Sequence, residues 1–414
     1  MYFFGGIKVD RTCSNEVFYL DITPQFDLEV LLWTDVTKKS GIGFKSCRAS
    51  IVSDINNTIY LIGGVMENQY NEDAFTSLVH TFDLKSGKWN VPKIIGKEAN
   101  KRGYLQAVVN NDGIIYAFGG REGLMYFNDM VLLNTSEFKW SYGPIINAPS
   151  IKHSYTATIL PNGVIVFIGG RERIDNEQAD INRINLYDTK LASWSVVQAK
   201  SDFIIEFRSG HSAVLAPDGK IIIYGGVKIT AKSYLVSVTP SLAVLNIQTT
   251  PFEWTTPQVL SNVGEIPSLV YHTAHLVENY MIVTFGRFTQ PKLYPIIINA
   301  KVYILDIRNY TWVNRFEPLS VPTPSNENPT SNTPSTETSS KTTDSSNSRR
   351  FKIIVGTISG ILGVAFFITI GICYKRNQKN MNLSARNTEE MHDNIDETKE
   401  KSSHNVVDHM DTQL

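Results

Sequence analysis

Cysteine is almost missing from this chain, which has only Cys13, Cys47 and Cys373 among its 414 residues. Three cysteines cannot build a disulfide scaffold, and none stands in a Cys-x-x-Cys or Cys/His spacing that would hold zinc, so no structural metal and no cofactor is expected. Net charge is equally scarce. With 39 Lys plus Arg against 40 Asp plus Glu, the formal charge is -1, which excludes the global basic field that draws proteins to nucleic acid. Long apolar runs are absent apart from one stretch near the C-terminus. What is plentiful points elsewhere: aromatics at 11% and 27 glycines favour many short strands joined by tight turns over a helical protein.

An internal period organises the first three quarters of the chain. The segments FFGG ending at Gly6, YLIGG at Gly64, YAFGG at Gly120, VFIGG at Gly170 and IIYGG at Gly226 recur every 50 to 58 residues. VTFGR at Gly286 is a decayed sixth copy. The six tryptophans, Trp33, Trp89, Trp140, Trp194, Trp254 and Trp312, fall 21 to 29 residues after the first position of successive doublets, one per repeat. Between doublet and Trp runs an alternating strand closed by Asp or Asn: VFYLDI, VHTFDL, MVLLNT, INLYDT, LAVLNI and VYILDI.

This pattern resembles the kelch repeat, and also the kelch-type propeller of galactose oxidase, over roughly residues 1 to 318. The resemblance implies an all-β propeller of six four-stranded blades, with seven as the alternative, each blade unable to bury both faces until it stacks on its neighbours. The doublet glycines Gly5 and Gly6, Gly63 and Gly64, Gly119 and Gly120, Gly169 and Gly170, Gly225 and Gly226, with Gly286 alone in the last copy, are expected where the second strand leaves the blade, at angles a Cβ forbids. The tryptophans are expected to wedge between blades rather than to stack on sugars.

The innermost strand, a, precedes each doublet strand, b, as CRASIVS, GYLQAVVN, SYTATIL, GHSAVLA and YHTAHLV. His211 and His272 share one position in it with Ala49, Leu105 and Tyr155, and read as hydrogen-bonded repeat residues rather than ligands. There are five such strands for six doublets. The sequence opens inside strand b of blade 1 and MYFFGG lacks the features of a signal peptide, so further coding sequence upstream is expected. Cys13 and Cys47 fall on one face of adjacent blades, within reach of a disulfide; two separate buried thiols are the alternative.

After the repeats, residues 319–350 are dominated by Ser, Thr, Pro and Asn and read as a disordered, O-glycosylatable stalk. Within 351–374, Ile353 to Cys373 is 21 residues without a charge, long enough to span a bilayer as one helix. Gly356 and Gly360 form a small-residue pair that suits a homodimer, and Cys373 reads as an inert thiol or an acylation site. Residues 375–414 read as a disordered polar tail. Basic residues flank the span on both sides, so charge alone does not orient it. The stalk, together with sequons at Asn56, Asn134 and Asn309, favours the propeller outside the cell and the tail in the cytoplasm.

The functional expectation is a membrane-anchored, non-enzymatic recognition protein that binds an extracellular protein or glycan through the long b-to-c and d-to-a loops of the propeller. On that face Arg121, Arg171 and Arg287 directly follow doublets, while Arg48, Arg102 and Arg208 stand near the start of strand a. They read as a cationic collar for carboxylates, with bracing of their own blades as the alternative. Two other readings compete. A structural surface spacer needs no ligand at all. A copper-radical oxidase, implied by the galactose oxidase likeness, needs a Tyr-Cys thioether and a copper site whose residues cannot be matched here one by one.

Overall fold

A computed structural model describes residues 1–54, 56–172, 179–230, 235–289 and 297–319. The stalk, the apolar segment with Gly356, Gly360 and Cys373, and the tail lie outside the described residues. No described helix is long and apolar enough to cross a membrane.

Six antiparallel sheets stand around one axis, and their strands are named a to d from the axis outward. Blade 2 contains Ser50–Ser53, Thr58–Ile62, Val79–Asp83 and Lys88–Asn90; blade 3 contains Ala107–Val109, Ile114–Phe118, Met130–Asn134 and Lys139–Tyr142. Blade 4 follows with Thr156–Ile159, Val164–Ile168, Arg183–Asp188 and Ser193–Gln198. Blade 5 has Ser212–Leu215, Ile221–Tyr224, Leu242–Asn246 and Glu253–Thr255, and blade 6 has Thr273–Val277, Tyr280–Thr284, Val302–Asp306 and Thr311–Val313. Blade 1 comprises strands b, c and d, at Tyr2–Phe4, Val17–Leu20 and Trp33–Asp35. Strand b is sandwiched between neighbouring blades, which is why Ile221–Tyr224 is buried at every position instead of alternating.

Six apolar clusters fill the six blade interfaces, and each holds one tryptophan. Trp140 packs with Tyr60, Ile62 and Ala117 between blades 2 and 3, and Trp312 with Tyr224 and Tyr303 between blades 5 and 6. Between blades 6 and 1, Phe3 and Phe18 meet Ile282, Ile304 and Phe316, so the ring of described residues closes at six blades. Phe26–Asp27, in the c-to-d connection of blade 1, also pairs with Arg315–Phe316 beyond the last strand of blade 6, tying the two ends of the ring together.

The doublets mark backbone-to-backbone contact between blades. A Cβ on Gly63 would lie 2.3 Å from the carbonyl oxygen of Arg102, in the segment leading into strand a of blade 3, while Gly64 N–H donates to that same oxygen at 2.8 Å. Gly6, Gly120, Gly170 and Gly226 repeat this bond to Ser46, Lys152, Arg208 and Leu269. In the decayed sixth copy Phe285 replaces the first glycine. Its neighbour is blade 1, which presents no inner strand among the described residues, and the Phe285 ring packs edge-on against Phe3 at 5.0 Å.

Candidate functional site

A residue two or three positions before each strand a is left-handed: Arg48, Tyr104, Ser154, Gly210 and Tyr271 have φ between 54° and 66°. Their peptides form a chain of hydrogen bonds around the axis. Tyr104 N–H donates to Arg48 O, Ser154 to Tyr104, Gly210 to Ser154, and Tyr271 to Gly210, at 2.7 to 3.1 Å. The mouth of the channel on the long-loop face is therefore lined, over five of the six blades, by an arc of hydrogen-bonded backbone.

Four of the six sequence-selected arginines belong to this mouth. The Arg48 guanidinium lies 5.1 Å and that of Arg121 4.6 Å from the centre of the Tyr104 ring, and Arg287 lies 5.4 Å from that of Tyr271. Arg171 donates through Nε to Ser209 Oγ at 3.3 Å. Burial lowers the pKa of Arg287, and the neighbouring Arg171 and Arg11 guanidiniums push it the same way, so cations from blades 1, 4 and 6 share one field. A recess of about 160 Å³ opens between Arg48, Tyr104, Arg121 and Glu122. Among the described residues no carboxylate lies within salt-bridge distance of Arg48, Arg121, Arg171 or Arg287. The acids beside them are engaged elsewhere, Glu122 with Lys101 at 3.5 Å and Glu172 with Lys152 at 2.6 Å.

Arg102 and Arg208 do not join the collar. They stand two residues before the left-handed position rather than on it, and this shift turns them into the blade, where they are 2% and 0% exposed. Arg102 donates to Gly119 O and forks onto Asp129; Arg208 donates to Gly225 O and Pro240 O. Lys152, which the sequence reading passed over, does the same with Gly169 O at 3.0 Å. Each cation caps the carbonyl of a first doublet glycine 17 residues later, a spacing that was available in the sequence. Tyr104 and Tyr271 were also missed, because the left-handed position has no consensus residue to mark it.

His211 and His272 are braces. Burial depresses both, His272 to about 3, and their Nε2 atoms meet Thr156 Oγ1 and Ser212 Oγ of the preceding blades at 3.1 and 2.8 Å. Cys13 and Cys47 are joined in a disulfide, Cα to Cα 5.3 Å, which ties the b-to-c loop of blade 1 to the residue before Arg48. No group of three or more His, Cys, Asp or Glu suited to a metal ion occurs among the described residues. Asn56 and Asn309 lie in turns on the opposite face, and Asn134 ends the strand that leads into another.

Comparison with known proteins agrees with this architecture. The KLHDC2/KLHL20/DRC7 Kelch-repeats domain matches residues 1–170 and 152–335. Kelch domain-containing protein 3 of Rattus norvegicus is 29% identical over 180 residues, 42% of this chain and 45% of that protein. Kelch domain-containing protein 1 of Mus musculus is 27% identical over 249 residues, 55% of this chain and 59% of that one. Kelch repeat-containing protein 2 of Saccharomyces cerevisiae is 22% identical over 333 residues, 63% of this chain and 37% of that protein. The chain thus spans about half the length of the first two of these relatives. Six blades, a kelch repeat in each and a family match over most of the chain lead to one conclusion: this protein belongs to the KLHDC2/KLHL20/DRC7 Kelch-repeats domain family.

Proposed function

We propose that this chain is a membrane-anchored recognition protein whose propeller stands outside the cell and binds an acidic surface of a protein partner at the arginine collar. The observation that carries this reading is the group of four guanidiniums around the channel mouth, three of them over tyrosine faces, with no carboxylate of the described residues committed to them. Stacking on an aromatic face does not use the N–H groups of a guanidinium, although Arg121 spends one on Gly123 O at 3.0 Å, and a partly desolvated fork binds a carboxylate more strongly than one in open water. The uncharged 21-residue segment supplies the anchor. The disulfide and the Ser/Thr/Pro-rich stalk fit an oxidising, extracellular side. Catalysis is not required by this reading. The copper-radical alternative is weakened because both propeller cysteines are used in one disulfide and neither is left for a thioether to tyrosine.

The test displays the full chain on cells and probes it with a glutamate-rich peptide, its glutamine counterpart and a sialylated oligosaccharide. The acidic peptide is expected to bind, to weaken with added salt, and to be lost in the Arg121→Ala/Arg171→Ala/Arg287→Ala variant. Equal binding of the glutamine peptide, or full binding by the folded triple variant, refutes the collar. Binding of the oligosaccharide alone would assign the collar to acidic glycans instead.

A further inference from the structure

The face opposite the collar carries its own pattern. Strands alternate in direction, so a-to-b and c-to-d turns share one face, and all three sequons of the propeller fall there. Asn56 is in the a-to-b turn of blade 2, while Asn134 and Asn309 lie at the c-to-d turns of blades 3 and 6. The long-loop face has no shortage of asparagine, with Asn15, Asn68, Asn71, Asn100, Asn128 and Asn147 among others, yet none of these has Ser or Thr two residues on. The hydroxyl two residues on also serves the turn itself, since Ser136 Oγ donates to Asn134 Oδ1 as Thr23 Oγ1 does to Asp21 Oδ1.

The local geometry leaves the reactive nitrogen available. Asn56 and Asn309 are exposed and Asn134 is half-buried. Asn134 Oδ1 accepts from Ser136 N–H, Ser136 Oγ and Glu137 N–H, and Asn309 Oδ1 accepts from Thr311 N–H. These bonds use the amide oxygen, so a group attached at Nδ2 preserves each turn. The last described stretch also ends on this face, where Leu319 N–H donates to Glu278 in the a-to-b turn of blade 6. The chain thus leaves the propeller on the side of the sequons and away from the collar.

We propose that the propeller carries N-linked glycans at Asn56, Asn134 and Asn309, all on the short-turn face, leaving the long-loop face bare for its partner. This rests on the extracellular reading above. At each site Nδ2 forms a bond to C1 of the first sugar of a lipid-linked oligosaccharide pyrophosphate. The C1–O bond to phosphate breaks, the lipid pyrophosphate departs with the electron pair, and Nδ2 gives up one proton.

A fourth sequon, Asn382-Leu383-Ser384, lies beyond the apolar segment and serves as an internal control for orientation. The full chain is expressed in a eukaryotic cell, and its gel mobility is followed with and without peptide-N-glycosidase, for the natural sequence and for Asn56→Gln, Asn134→Gln, Asn309→Gln and Asn382→Gln. Antibody labelling of intact cells locates the propeller independently. Three mobility steps, each abolished by its own propeller substitution, with Asn382→Gln unchanged, support the proposal. Fewer than three on a propeller that is labelled from outside overturn it and leave the extracellular reading standing. Loss of a step in Asn382→Gln, or an unlabelled and unmodified propeller, overturns both.

Discussion

Replacing Asp129 by Ala is expected to destabilise the propeller far more than removing any arginine of the collar. Arg102 is almost fully buried and its guanidinium forks onto Asp129, whose own side chain is 29% exposed. Without the carboxylate the cation keeps Asn100 O, Gly119 O and the Phe127 face at 3.9 Å, but no counter-charge. Breaking one partner of a buried pair costs about 3–5 kcal/mol, and the partial exposure of Asp129 reduces this to about 2–4 kcal/mol. Replacing both partners, as Arg102→Met/Asp129→Leu, removes the stranded charge and should return to within about 1 kcal/mol of the natural protein. Arg121→Ala, which removes a half-exposed cation stacked on Tyr104, should cost less than about 1 kcal/mol. Urea unfolding followed by tryptophan fluorescence reads all three, since the tryptophans sit at the blade interfaces. Equal midpoints for Asp129→Ala and Arg121→Ala would refute the division of these arginines into braces and collar.

Gly63→Ala should cost several-fold more than Gly123→Ala in the same assay: both glycines have positive φ, worth about 1–2 kcal/mol, but only at Gly63 does the new Cβ meet a carbonyl oxygen of the next blade. Cys13→Ser/Cys47→Ser opens a loop of 34 residues and should lose about 3–4 kcal/mol, with no loss in reducing buffer indicating that the bond does not form in the native protein. Burial lowers His80 and His275 from 6.5 to about 4. The unfolded chain therefore binds more protons in the window from about 4 to 6.5, and stability should fall as pH drops through it. His80→Gln/His275→Gln should reduce that dependence, leaving the share of His211 and His272, which burial also depresses, and urea midpoints at pH 4.5 and 7 that keep the natural slope would contradict it.

The propeller was legible in the sequence because each blade repeats the same local demands. A doublet is needed wherever strand b meets the lead-in of the next blade, and a tryptophan wherever two blades face each other, so the period and the kelch resemblance together implied six blades and left a seventh open. That period could not say how the ring closes, since the Phe26–Asp27 pairing with Arg315–Phe316 joins segments far apart in the chain that share no repeat motif. The site divides in the same way. Arginines near doublets and strand starts were visible as a group, yet Arg48 stands on the left-handed residue and Arg102 and Arg208 two residues before theirs. In an extended segment a shift of two leaves the face unchanged, but here the chain departs from extended geometry at the left-handed residue, which is Arg48 itself in blade 2 and Tyr104 and Gly210 in blades 3 and 5. The sequence by itself determined the blade, its spacing and its candidate cations; the tertiary structure decided which cations face the channel mouth, because only the inter-blade hydrogen bonds set where the backbone reverses.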